Sequence, residues 1–180
     1  MTFNIKEFDI EKFDGILARG LSHGLGTRGE SVCIEAAICE TLGVEHGDDP
    51  GCVDQAVRAY KIKLNDSRWS SPKERSKGLR DLGIAQLGSL GSIDSKEFSR
   101  RLAEKTIRVL IPVLFRDLFP NNKKLLAVAD RCEKEGTKDA AYAAANAADA
   151  AADADKYLNL SAKLALEVLR EMQSPGVALL

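Results

Sequence analysis

What this chain lacks narrows what it can be. Its four cysteines, Cys33, Cys39, Cys52 and Cys132, include no Cys-x-x-Cys pair, and only two histidines accompany them. No metal site and no cofactor motif is therefore expected. No stretch approaches the ~20 consecutive apolar residues of a membrane span, so no membrane partner is expected either. The start, MTFNIKEFDI, has no basic segment running into an apolar one. A signal peptide is not expected, the expected location is cytoplasmic, and the cysteines are expected as thiols. Charge of one sign is also missing. Lys and Arg number 26 against 27 Asp and Glu, a net charge of −1, so no global field draws the protein toward nucleic acid. Alternating β-branched runs are scarce, with TIRVLIPVLF the one competitor for a strand.

What remains is helical. With 180 residues, 44% hydrophobic and 29% charged, the chain can build one core unaided. The expected fold is all-α, a single domain over 1–180 of about seven helices. Asp9 caps a first helix carrying Ile10, Phe13 and Leu17 and ending near Gly20. A second runs from about Glu30 to Leu42, is apolar most of the way round and stops at Gly43, the pattern of a central helix. Asp49-Pro50 reads as N-cap and first position of a third helix with Val53, Val57, Tyr60 and Leu64 inward. Ser71, Pro72 and Glu74 form a capping box for a fourth, closed by Gly88. Asp94 and Glu97 open a fifth, kinked or broken at Pro112, and Asn121 or Asn122 opens a short helix that ends at Gly136. Thr137 caps a long last helix to Gln173. Within it the non-alanine residues of DAAYAAANAADAAAD (Asp139, Tyr142, Asn146, Asp149, Asp153) share one stripe, either solvated or a groove wall.

Two segments carry candidate chemistry. The first, SHGLGTRGESVC, spaces Gly24, Gly26 and Gly29 as Gly-x-Gly-x-x-Gly. A dinucleotide site needs a strand before those glycines and a βαβ unit around them, and neither is readable here; the acidic Asp48 does not rescue it. The surviving readings are a flexible connector or an anion site at the following helix N-terminus, with Arg28 and His23 beside it. The stretch CIEAAICETLGVEHGDDPGC then gathers Cys33, Glu35, His46, Asp48, Asp49 and Cys52. Cys33 near a helix N-terminus is a candidate nucleophile, with His46 as base and Asp48 orienting it. The competing reading makes the cysteines small buried hydrophobes and HGDDP a capped turn. The second segment, RAYKIKLNDSRWSSPKERSK, crowds Arg58, Lys61, Lys63, Arg68, Lys73, Arg75 and Lys77 around Tyr60 and Trp69. That is either a nucleic-acid surface or a solvated face with its aromatics in the core.

CIEAAICETLGVEHGDDPGC followed by LNDSRW resembles an uncharacterised family of helical proteins from actinobacteria, other bacteria and phages. Its signature falls here on Cys33, Glu35, Gly43, His46, Asp48, Pro50, Cys52, Asn65 and Asp66. The resemblance spans about residues 28–70 and implies a signature segment, without implying an activity. The reading is a helical binding module of bacterial or phage type. Its site lies between the glycine loop and the HGDDPGC turn, at His23, Arg28, Glu35, Asp49, Asn65, Asp66 and Trp69, for a protein partner or a small anionic ligand. A Cys33/His46/Asp48 hydrolase or transferase is the alternative, and a nucleic-acid accessory protein the second.

Overall fold

Helix starts follow the caps that the sequence offers, with two displacements that shape the site. The computed structural model describes residues 4–136 and 154–180. Asp9 accepts from the Lys12 amide to open α1 (Ile10–Leu17), and Ser71 accepts from the Glu74 amide to open α4 (Pro72–Ala85). Asp94 and Asn122 do the same for α5 (Ser95–Lys105) and α7 (Lys123–Glu135). TIRVLIPVLF is helix. Thr106–Leu110 forms a π-helical turn that joins α5 to α6 (Ile111–Leu118), with Pro112 in the first turn of α6. The last described helix, α8, is Ala154–Glu171, and Pro175–Leu179 is a closing 3₁₀ turn. The expected Thr137 cap and the stripe from Asp139 to Asp153 lie outside the described residues.

The displacements come at α2 and α3. Helix α2 is Ile34–Leu42, four residues later than expected, and Cys33 rather than Glu30 precedes it. Residues 26–32 instead fold back in a tight turn over 28–30, closed by an antiparallel bridge between Gly26 and Val32 and by Thr27 N–H to the Ser31 carbonyl at 3.1 Å. Helix α3 is Gln55–Asn65, capped by Asp54 and not by Asp49. The Asp49 carboxylate is engaged in its own turn, accepting from the Gly51 amide at 3.0 Å and pairing with Arg58 at 2.6 Å.

Since α5, the π turn and α6 are continuous, the described residues make seven helical rods and no strand. Helix α4 packs on α8, α2 and α1, while α3 lies against α2 and α5. Ile34, Ala36, Ala37, Ile38 and Cys39 have no exposed surface, so α2 is the enclosed helix that its all-round apolar sequence implies. A smaller cluster of Leu114, Phe115, Ala129 and Tyr157 joins α6, α7 and α8. No described helix is long and apolar enough to cross a membrane.

Candidate functional site

One charged pair sits inside this apolar frame. Glu35 in the first turn of α2 and Lys61 in the middle of α3 are both fully buried, with Lys61 Nζ 3.1 Å from Glu35 Oε1. Gln86, just past α4, donates to Glu35 Oε2 at 2.9 Å. Glu35 Oε1, Lys61 Nζ and Gln86 Oε1 have no well-directed hydrogen bond. Burial pushes the Glu35 carboxyl upward and the Lys61 ammonium downward, each opposed by the other's charge. A charged pair in such surroundings needs compensating bonds, and this one is under-compensated.

Above it the glycine loop is fastened to the helices by Asn65 and Asp66. Asn65 Oδ1 accepts from the Ile34 amide at 3.2 Å, and Asn65 Nδ2 donates to the Ser22 carbonyl at 3.0 Å and to Asp66 Oδ1 at 2.8 Å. Asp66 Oδ1 also accepts from the Gly24 amide at 2.8 Å. Buried Arg75 reaches in from α4, donating to the Asn65 carbonyl at 2.8 Å and the Leu21 carbonyl at 2.6 Å. This clasp encloses a cavity of about 70 Å³ lined by Gly24, Leu25, Cys33, Ile34, Glu35, Asp48, Ile62, Asn65 and Asp66. A dry cavity of roughly 150 Å³ admits benzene, so this one takes a head group of about three or four heavy atoms.

Five of the residues singled out in the sequence therefore converge: Cys33, Glu35, Asp48, Asn65 and Asp66. The others do not line the cavity. His46 Nε2 donates to the Gly26 carbonyl at 3.2 Å, so His46 pins the glycine loop. Arg28 donates to the Val44 carbonyl, beyond the C-terminal end of α2. It thus stands at the opposite end of the helix from the amides that an anion would use. Those amides are occupied: Ile34 by Asn65, and Ala36 by Cys33 Sγ at 3.3 Å. His23 is exposed, and Asp49 is spent on Arg58 and Gly51.

The basic-aromatic face is corrected. Lys61 and Arg75 are buried, and Trp69 is core, its Nε1 donating to the Leu64 carbonyl at 2.9 Å. Lys63, Arg68, Lys73 and Lys77 remain exposed, fewer than a nucleic-acid surface built on that whole segment would have.

The thiols are corrected too. Cys33 caps α2, but loss of water outweighs its amide bonds and pushes the thiol above its ordinary range. Cys39 is driven up to about 12. All four cysteines are free and buried. Ellman's reagent at pH 8 is expected to find no thiol reacting at a free-cysteine rate in the native protein, and all four after denaturation. A fast native reaction that Cys33→Ser abolishes would contradict this. Lys61 and the cavity were not anticipated as a unit. The readable signal was Glu35, set among Ile34, Ala36, Ala37 and Ile38 in the apolar helix, which demands a buried partner. Among the described residues no three metal-ligating side chains are gathered to hold an ion. Compared with protein-family models, curated proteins and solved structures, the chain matches none, and the site stands on its own geometry.

Proposed function

We propose that this chain is a cytoplasmic all-α binding module that takes the head group of a small ligand, or of a side chain on a protein partner, into the cavity beside Glu35. One observation carries this reading. The glycine loop, the start of α2 and the end of α3 are tied together by Asn65, Asp66 and Arg75 around a cavity of about 70 Å³, with Glu35 Oε1, which accepts no directed hydrogen bond, at its floor. A fold that needed only stability would fill that space with side chains. Leu25, on the wall and largely exposed, supplies apolar surface at the rim for the rest of the ligand. The enzymatic alternative has less support, since the Cys33 thiol is protonated and His46 is engaged by the Gly26 carbonyl.

Ile62→Trp tests the reading, because Ile62 is a half-buried wall residue whose enlargement fills the cavity from the α3 side. A fragment library of amines, amides and carboxylates, screened by saturation-transfer NMR, is expected to give hits on the native chain that the variant loses while its thermal unfolding stays unchanged. Hits that persist in Ile62→Trp, or no hits at all, would refute the reading.

A further inference from the structure

Resting on that reading, we infer that the cavity selects a cationic, N–H-rich head group, an ammonium or a guanidinium, over anionic or neutral ones. The hydrogen-bonding character of the wall carries this. Three carboxylates line the space, Glu35 at the floor and Asp48 and Asp66 at the mouth. Glu35 Oε1 is fully buried and has no directed hydrogen bond; the cation paired with it is Lys61 Nζ at 3.1 Å. Asp66 uses Oδ1 for the Gly24 amide and the Asn65 side chain, and among the described residues Oδ2 makes no bond. Asp48 makes no hydrogen bond or ion pair among them.

The donors of the clasp are meanwhile spent. The Ile34 amide goes to Asn65, the Gly24 amide to Asp66, and both Asn65 Nδ2 bonds stay inside the clasp. The Arg75 guanidinium, the cation nearest Asp66, is directed to the Asn65 and Leu21 carbonyls. Lys61 offsets the charge of Glu35 and Arg75 faces Asp66 without bonding to it, while Asp48 has no ion-pair partner among the described residues. An anion entering here meets acceptors and negative charge. A planar or tetrahedral cation with three or more N–H groups meets carboxylate oxygens of Glu35, Asp48 and Asp66. The carboxylates are not gathered as one metal ion requires, so the fit is to an organic cation whose N–H groups are spread over several ångströms.

Amide chemical shifts of Gly24, Leu25 and Ile34 in the native chain provide the test, under titration at constant ionic strength with methylguanidinium, methylammonium, acetamide and acetate. The two cations are expected to shift these signals saturably and the other two to leave them in place. Asp48→Asn, which disturbs no bond of the fold, is expected to weaken cation binding about threefold, as an exposed charge does. Asp66→Asn is expected to weaken it about tenfold or more, as loss of a charge-assisted bond does. A Gly-Gly-Arg-Gly peptide that binds more tightly than methylguanidinium identifies a protein side chain as the source of the head group, and one that binds more weakly a free small molecule. Preferential binding of acetate or acetamide, or cation affinities unchanged in both variants, overturns the inference and leaves the cavity reading standing. Silence from all four probes also overturns it, and the Ile62→Trp comparison then decides the cavity reading separately.

Discussion

Lys61→Met is expected to destabilise the fold by about 3–5 kcal/mol, because it leaves the buried Glu35 carboxylate without the ammonium paired with it. The effect has a defined pH dependence. Burial already raises the Glu35 pKa in the folded state, and removing the ammonium that opposes it raises it further. A carboxyl whose folded pKa exceeds its unfolded one supports folding fully only below the unfolded value, and that support is lost as pH rises through the folded value. The deficit of Lys61→Met relative to the native chain should therefore be smallest near about pH 4, the ordinary range of a glutamate, and grow toward neutrality. Lys61→Met combined with Glu35→Leu should recover most of the loss, since an apolar pair of similar volume often replaces a buried ion pair without penalty. Urea unfolding at several pH values measures all three. A single-variant loss below about 1 kcal/mol at neutral pH, the scale of an exposed pair, would show that Lys61 and Glu35 are not held together in the core.

The architecture was legible because it rests on local chemistry. Asp9, Ser71, Asp94 and Asn122 each sit one residue before an apolar helical pattern and each accept the amide expected of a cap. Gly43 and Gly136 end their helices with positive φ, again a local requirement. The failures lie where a distant contact outbid the local signal. Asp49-Pro50 has the look of a helix start, but Arg58 and the Gly51 amide claim the Asp49 carboxylate, and Asp54 takes the cap. Glu30 looks like a helix beginning, yet the Gly26–Val32 bridge holds it in a tight turn and the helix waits until after Cys33.

The site was half legible for the same reason. Cys33, Glu35, Asp48, Asn65 and Asp66 were found as a linear signature, and the fold brings them to one cavity. Arg28 was placed at an anion site by the helix N-terminus and His46 beside Cys33 as its base; here each is used to hold a loop carbonyl, Val44 for one and Gly26 for the other. Lys61 was counted among surface cations, although it shares the inward face of α3 with Val57 and Leu64, four residues after one and three before the other. Composition favoured the surface, and helical register favoured the core. Register prevailed, because α2 presents a glutamate there and Lys61 Nζ reaches its carboxylate at 3.1 Å.

Gly26→Ala is expected to be the most damaging of the three changes possible in the Gly-x-Gly-x-x-Gly run, by about 2–5 kcal/mol, and the contrast with its neighbours isolates the cause. Gly24, Gly26 and Gly29 all have positive φ, at 70°, 73° and 83°, so alanine at any of them carries the left-handed penalty of about 1–2 kcal/mol. At Gly24 and Gly29 a new Cβ meets nothing within 4 Å, and the loss should stop there. At Gly26 the Cβ would collide with the Ser31 carbonyl and lie 2.6 Å from Ser22 Oγ and 2.7 Å from Val32 Cα, adding an overpacking term of about 1–3 kcal/mol. Those neighbours are the bridge that holds the loop over α2, and the Gly26 carbonyl is what His46 grips. The substitution should thus loosen the wall made by Gly24 and Leu25 as well as lower the melting temperature. Thermal unfolding of the three alanine variants, with native-state amide exchange at Gly24 and Cys33, separates the two effects. Faster exchange at both amides in Gly26→Ala alone is the expected outcome, and equal losses across all three would show that φ, not packing, governs the loop.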